Sequence, residues 1–313
     1  MGTFIFSFVA LIALKNGFYG TNGLFVLGVM TVAVLAFVIV TFLRWVDWIA
    51  RLGRIGTTIK QVESVGLETF RSRRLNPQLG VATIQSAPTG GKPVFTDTVG
   101  YVRHINLEAL QFFATENKLQ ITVRALPGMF ATPDQPLARV CADEKTQSLP
   151  DLSSVAAKFE VGSTRTYDDD PRFALIALSE IASRALSPAV NDPGTAIGIF
   201  GSFIRMFGVW TKPLLEDEHT DTRFDRVFVP ELSAEDLLDH AFRAIARDGA
   251  GIVEVQIRLQ KALRAIAAMR NHALTQAATD QSRAAIKRAE KAISFEKDME
   301  SIIAAADWSL QKA

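Results

Sequence analysis

An uncharged apolar run at residues 24–43, LFVLGVMTVAVLAFVIVTFL, constrains this chain more than any other feature. At about 1.5 Å per residue, a helix of that length is roughly 30 Å long, the thickness of a bilayer's hydrocarbon core. The alternative is a buried helix of a soluble protein, but such helices seldom run so far without a charge. The run predicts a transmembrane helix. Arg44, Trp45, Trp48 and Arg51 follow it, the basic and aromatic anchors of a membrane interface.

A second apolar stretch, residues 3–14, comes first and makes only about 18 Å of helix, too short to cross unaided. No basic segment precedes it and no small-residue cleavage site follows, which argues against a secretory signal. The glycines between the two stretches suit a tight connection, so residues 1–43 read as a transmembrane hairpin whose first helix is incomplete. Lys15 is the one basic residue between the stretches, whereas Arg44, Arg51, Arg54, Lys60, Arg71, Arg73 and Arg74 follow the second. The positive-inside rule then places everything after Leu43 in the cytoplasm. A solitary cysteine, Cys141, suits that reducing compartment and excludes an intrachain disulfide framework.

Beyond the membrane end, residues 44–76 have helical spacing at Ile55, Ile59, Val62 and Val65, and Asn76-Pro77 closes that juxtamembrane helix. Residues 77–150 change period. Short β-branched runs at 81–85, 100–105, 119–126 and 137–141 read as strands, with a helix over 107–117 and a Pro127-Gly128 turn. They make a small mixed β module, a compact barrel or sandwich. From 151 to 313 the chain reads as helical, with one further short strand at 226–229. Asp170-Pro171 and Asp192-Pro193 are paired cap-and-start signals, and Phe173, Ile176, Ala177, Ile181 and Ala185 outline an apolar face between them. Residues 276–310 form a final charged segment, either a solvated face or an oligomer seam. The fold class expected is thus an α+β membrane protein: two N-terminal apolar helices, a small β module, then a mostly helical cytoplasmic region.

Chemistry is harder to find. Lys and Arg total 34 against 33 Asp and Glu, a net charge of +1, which speaks against a nucleic-acid-binding protein. Gly90-Gly91-Lys92 is followed by Pro93 and is no phosphate-binding loop; no nucleophile elbow or zinc-protease motif occurs. The four histidines are scattered, and Asp168-Asp169-Asp170 reads as an N-cap with two solvated acids, so neither a metal nor a cofactor is expected. The densest unusual stretch is 184–196. Two prolines and a glycine set a sharp helix-to-helix connection there, and Arg184, Ser187, Asn191, Asp192 and Thr195 gather polar groups. They serve either to satisfy helix ends or to form a rigid site, with Arg165 and Asp170 in support.

At this stretch the sequence resembles domain-of-unknown-function family 2254, a family of bacterial membrane proteins. The resemblance is carried by Gly100-Tyr101-Val102 with Ile105, Arg124, Pro127-Gly128, Pro136-Leu137-Ala138, Gly162, Arg165-Thr166, Asp170-Pro171 and Phe173. It is sharpest at Arg184-Ala185-Leu186-Ser187-Pro188, Asn191-Asp192-Pro193 and Thr195-Ala196, and departs from the family at Ala189 and Gly194. It implies four transmembrane helices before a cytoplasmic domain, with the short first stretch here in the place of the third. No reaction comes with it. The expectation is a non-enzymatic protein of the bacterial inner membrane that binds a small-molecule ligand or partner, or serves transport, as a homo-oligomer in the lipid bilayer. A membrane-bound enzyme using Arg184, Asn191 and Asp192, or a pure scaffold, are the rivals.

Overall fold

The computed structural model describes residues 2–17, 20–51, 55–77, 79, 81–83, 88, 90–142, 150–214 and 224–310. They form two compact units, residues 1–58 and Ile59–Ala313.

The first unit holds helices α1 (Gly2–Lys15) and α2 (Thr21–Arg51). Phe6 of α1 faces a cleft shared with Val26, Leu27 and Met30 of α2. Residues Asn22–Val46 are apolar over 25 residues, about 37 Å of helix, and none of the most apolar part is buried inside the chain. In water such a surface would be strongly unfavourable; in lipid it is matched. Two hydroxyls within the apolar run of α2 are satisfied locally: Thr31 Oγ1 donates to Leu27 O at 2.7 Å and Thr41 Oγ1 to Phe37 O at 2.8 Å. Among the described residues this is the one helix long and apolar enough to cross a membrane, so the two-span hairpin is corrected to one candidate span. The apolar part of α1, Phe4–Lys15, falls short because its run is simply too brief. Arg44 and Trp45 are exposed, Trp45 beside Phe42 at 6.3 Å. Trp48 and Arg51 lie on the α2 backbone, with side chains outside the described residues, as is Arg54.

The second unit begins within α3 (Ile55–Leu75) and continues through β1 (Val81–Thr83), β2 (Lys92–Val94), β3 (Gly100–Ile105), α4 (Leu107–Glu116), β4 (Leu119–Val123), β5 (Phe130–Ala131) and β6 (Ala138–Ala142). After α5 (Ser153–Ala156) and β7 (Phe159–Gly162) come α6 (Pro171–Ala185), α7 (Pro193–Trp210), β8 (Phe224–Val229), α8 (Ala234–Asp248), α9 (Val253–Ala267), α10 (His272–Ala292) and α11 (Glu296–Leu310). One sheet has the order β1-β8-β4-β6-β2, parallel on its β1-β8-β4 side and antiparallel on the other; the second is β5-β3-β7, antiparallel throughout. Leu110, Ile121, Val123, Val140 and Val227 are among the side chains that close the sheet core. The strands do not end at residue 150: β7 and β8 come from the later region and complete the two sheets, the former where a purely helical chain was expected. The expected strand over 81–85 is described only to Thr83, and residues 215–223 lie outside the described residues.

The helices form a second core around Phe203, Phe207, Phe242 and Leu263. Phe242 of α8 stacks on Phe200 and tilts against Phe203, with centroids 5.8 and 5.2 Å away. Inside α9–α11, the buried Ser282 and Gln260 are paired, Ser282 Oγ donating to Gln260 Oε1 at 2.5 Å, and Arg283 Nε donates to Ser309 O at 3.1 Å. The buried stripe of α6 is Ala174, Leu175, Leu178, Ala182 and Ala185, not the face through Ile176, Ala177 and Ile181, which are half-buried. The shift of one position turns Arg172 inward.

Candidate functional site

The connection between α6 and α7 is built almost wholly from helix-end chemistry. Ser187 Oγ donates to Arg184 O at 2.7 Å, and the N–H groups of Val190 and Asn191 donate to Ser187 O at 3.0 and 2.8 Å. Asn191 takes a φ of +48°, in the left-handed region that asparagine tolerates better than most residues. Asp192 then caps α7: its Oδ1 accepts from Thr195 N at 3.2 Å, and its Oδ2 from Thr195 Oγ1 at 2.5 Å. The Thr195 hydroxyl, then its N–H, hold the Asp192 carboxyl below the usual carboxylate range. Arg184 and Asn191 are exposed, and the Arg184 guanidinium has no ion pair among the described residues, with Asp192 or otherwise. Asp192 and Thr195 are thus brought together, Ser187 bonds to the backbone of Arg184, Val190 and Asn191, and the Arg184 guanidinium stands apart.

Arg165 and Asp170 lie in a different and far more buried place. Asp170 is only 2% exposed and caps α6. Its Oδ2 accepts from Arg165 Nε at 3.0 Å and also pairs with Arg165 Nη2; its Oδ1 accepts from Arg172 N at 3.2 Å and Arg172 Nε at 3.1 Å. Arg172 Nη2 continues to Pro127 O at 2.5 Å. Gly128 is required here twice over: its φ is +85°, and a Cβ would sit 1.9 Å from Asp170 Oδ2. The Arg165 guanidinium also lies over Tyr101 and Phe173, 5.8 and 5.3 Å from their ring centroids.

Arg73 of α3 lies within electrostatic reach of this junction. It is 4% exposed, and its Nη1 has no hydrogen-bond partner among the described residues. Burial first, then the charge of Arg172, pull its pKa down to about 10 against the opposing pull of Asp169 and Asp170. His240 of α8 is also pushed down, by burial and then by Arg172 and Arg165. His104 Nδ1 pairs with Asp169 Oδ2 at 2.6 Å. The aspartates at 169 and 170 therefore diverge, and no cluster of three or more metal-ligating side chains forms among the described residues. The Cys141 thiol, half-buried on β6, is pushed up by burial, which keeps it protonated at neutral pH.

Residues 1–265 match the model of a family described as predicted membrane protein, DUF2254. The chain belongs to the DUF2254 family. Two curated relatives, the uncharacterised proteins MT1328 of Mycobacterium tuberculosis (strain CDC 1551 / Oshkosh) and Mb1321c of Mycobacterium bovis, are each 28% identical over 149 residues. That alignment covers 47% of this chain and 28% of either relative, so this DUF2254 chain is matched to little more than a quarter of their length. No solved structure matches.

Within this DUF2254 protein the junction residues most deeply involved, Arg73 and Arg172, carry no sequence signal of a site. Arg73 reads as one of several juxtamembrane positive charges, and Arg172 follows a helix-start proline. Asp170 at an N-cap was visible; that two arginines converge on it was not, because the partners are set by the packing of α6 against α3 and the Pro127-Gly128 turn.

Proposed function

We propose that this protein is a membrane-anchored ligand-binding protein of the bacterial inner membrane, not an enzyme, in which α2 spans the bilayer and the second unit lies in the cytoplasm. The observation that carries the reading is the Asp170 junction. One buried carboxylate, through Arg172, joins the turn after β4 to the start of α6, and its charge acts on the buried Arg73 of α3, the helix that follows α2 in the chain. A ligand that shifts the turn is felt at Asp170 and, through the buried Arg73, at α3. The cytoplasmic side is supported by the basic residues after α2 against the single Lys15 before it. In this reading the loop at Arg184, Ser187, Asn191, Asp192 and Thr195 is a rigid connector that fixes α7, with the exposed Arg184 and Asn191 as its contact points for a partner. The exposed Phe295, Ile303 and Leu310, on and beside α11, support a homo-oligomer.

The test is native mass spectrometry of the full chain released from nanodiscs. A small retained mass that is lost in Asp170→Asn, in a variant that remains folded, is the expected result. Release of a bare chain from every membrane preparation, with no ligand-dependent rise in melting temperature, would overturn it.

A further inference from the structure

An open cleft of about 300 Å³ lies against the turn that Arg172 holds, and it is lined by Arg124, Met129, Phe130, Gln135 and Arg139 among others. That volume equals roughly ten water molecules and reaches the lower end of small-ligand sites. None of the described residues that line it is acidic. Arg139 pairs with Thr122 across β4 and β6, so Arg124, two residues beyond Thr122, emerges on the same face as a diagonal neighbour, with Cα atoms roughly 7–8 Å apart. The Arg124 backbone is fixed by its N–H donating to Leu137 O at 2.8 Å, yet its guanidinium is exposed and has no partner among the described residues. Arg139 Nη1 spends one donor on Gly91 O at 3.1 Å and keeps the others. Beside these two charges stand the exposed side chains of Met129 and Phe130, with Tyr101 edge-on to Phe130 at 5.1 Å.

Two like charges that share a concave surface without an acid repel one another, and each guanidinium offers a planar pair of donors. The partner that relieves both is an oxyanion, and the methionine and phenylalanine next to it suit an apolar body. We infer that this cleft binds a small oxyanion, a phosphate monoester or a carboxylate, carried on a short apolar group. The inference rests on the ligand-binding reading and gives that ligand its chemistry. Pro127 and Gly128, between cleft-lining Ala125 and Met129, are the residues that touch Arg172 and Asp170, so occupancy and junction share one turn.

The experiment uses the full chain in phosphatidylcholine nanodiscs, titrated calorimetrically with butyl phosphate, inorganic phosphate and butanol. Butyl phosphate binds most tightly, inorganic phosphate more weakly and butanol not at all. Arg124→Gln and Arg139→Gln each weaken butyl phosphate about tenfold, the loss of one charge-assisted hydrogen bond, and Arg139→Lys recovers part of it. Matching melting curves for the variants confirm that they fold. Doping the discs with phosphatidic acid separates two sources of the same chemistry: competition names a lipid headgroup, and its absence a soluble metabolite. No heat with butyl phosphate, or equal affinity in the folded Arg124→Gln/Arg139→Gln protein, overturns the inference. Binding that leaves hydrogen exchange in α3 unchanged would instead sink the coupling reading and leave the anion site standing.

Discussion

Asp170 has each oxygen engaged by an arginine and is almost wholly removed from water, which makes it the most demanding residue in the chain. Its neutral analogue removes the charge that both Arg165 and Arg172 pair with, beside the buried Arg73. Asp170→Asn should therefore destabilise the second unit by about 3–5 kcal/mol, read from denaturant unfolding of the solubilised chain. Gly128→Ala should be comparably harmful, because it strains a left-handed backbone and drives a methyl group into the same carboxylate. Gly198→Ala on α7, where nothing lies within 4 Å, should instead raise stability by roughly 0.5–1 kcal/mol and serves as the control.

At the scale of elements, α3 is held to the helical core by a small set of specific contacts. Glu63 accepts from Ser202 Oγ at 2.7 Å and from both Nε and Nη2 of Arg205, Thr69 Oγ1 donates to Tyr167 O at 2.9 Å, and Gly66 lets Met206 and Ala174 approach. The Arg205 hydrogen bonds lower the Glu63 pKa below its ordinary 4.5. A carboxylate depressed in the fold contributes stability that is fully present above its unfolded value and is lost as pH falls through the folded one. Stability measured from pH 6 downward should thus decline below about pH 4.5, and Glu63→Gln should flatten that decline. The starts of α6 and α7 were legible because Asp170 and Asp192 make local caps, to an N–H two and three residues on. The phase of α6 was not, since Ile176 and Ile181 look as apolar as Leu175 and Leu178; tertiary packing chose between them. The strands β2, β5 and β7 have 3, 2 and 4 residues, too few for a period to show, and exist through long-range pairing. Residues 276–310 read as one segment, yet α10 ends at Ala292 and α11 begins at Glu296.

For the whole molecule, the candidate membrane helix was the clearest feature because twenty uncharged residues need no partner to be understood. Val32, 67% exposed on α2, tests it: Val32→Arg should cost roughly 2.5–3.5 kcal/mol of insertion and move chain from the carbonate-resistant membrane fraction to the soluble one. The candidate site was legible only in part: the 184–196 stretch and Asp170 stand out in sequence, whereas Arg73 and Arg172 meet their partners across elements far apart in the chain, and the Arg124–Arg139 cleft depends on the pairing of β4 with β6. The central claim is that the Asp170 junction ties the turn after β4 to α3. Hydrogen exchange of the full chain in nanodiscs, wild type against Asp170→Asn, tests it most directly. Amides of residues 59–75 should lose protection together with those of residues 125–130, while α10 stays protected. Loosening confined to the turn, with residues 59–75 exchanging as in the wild type, would contradict it.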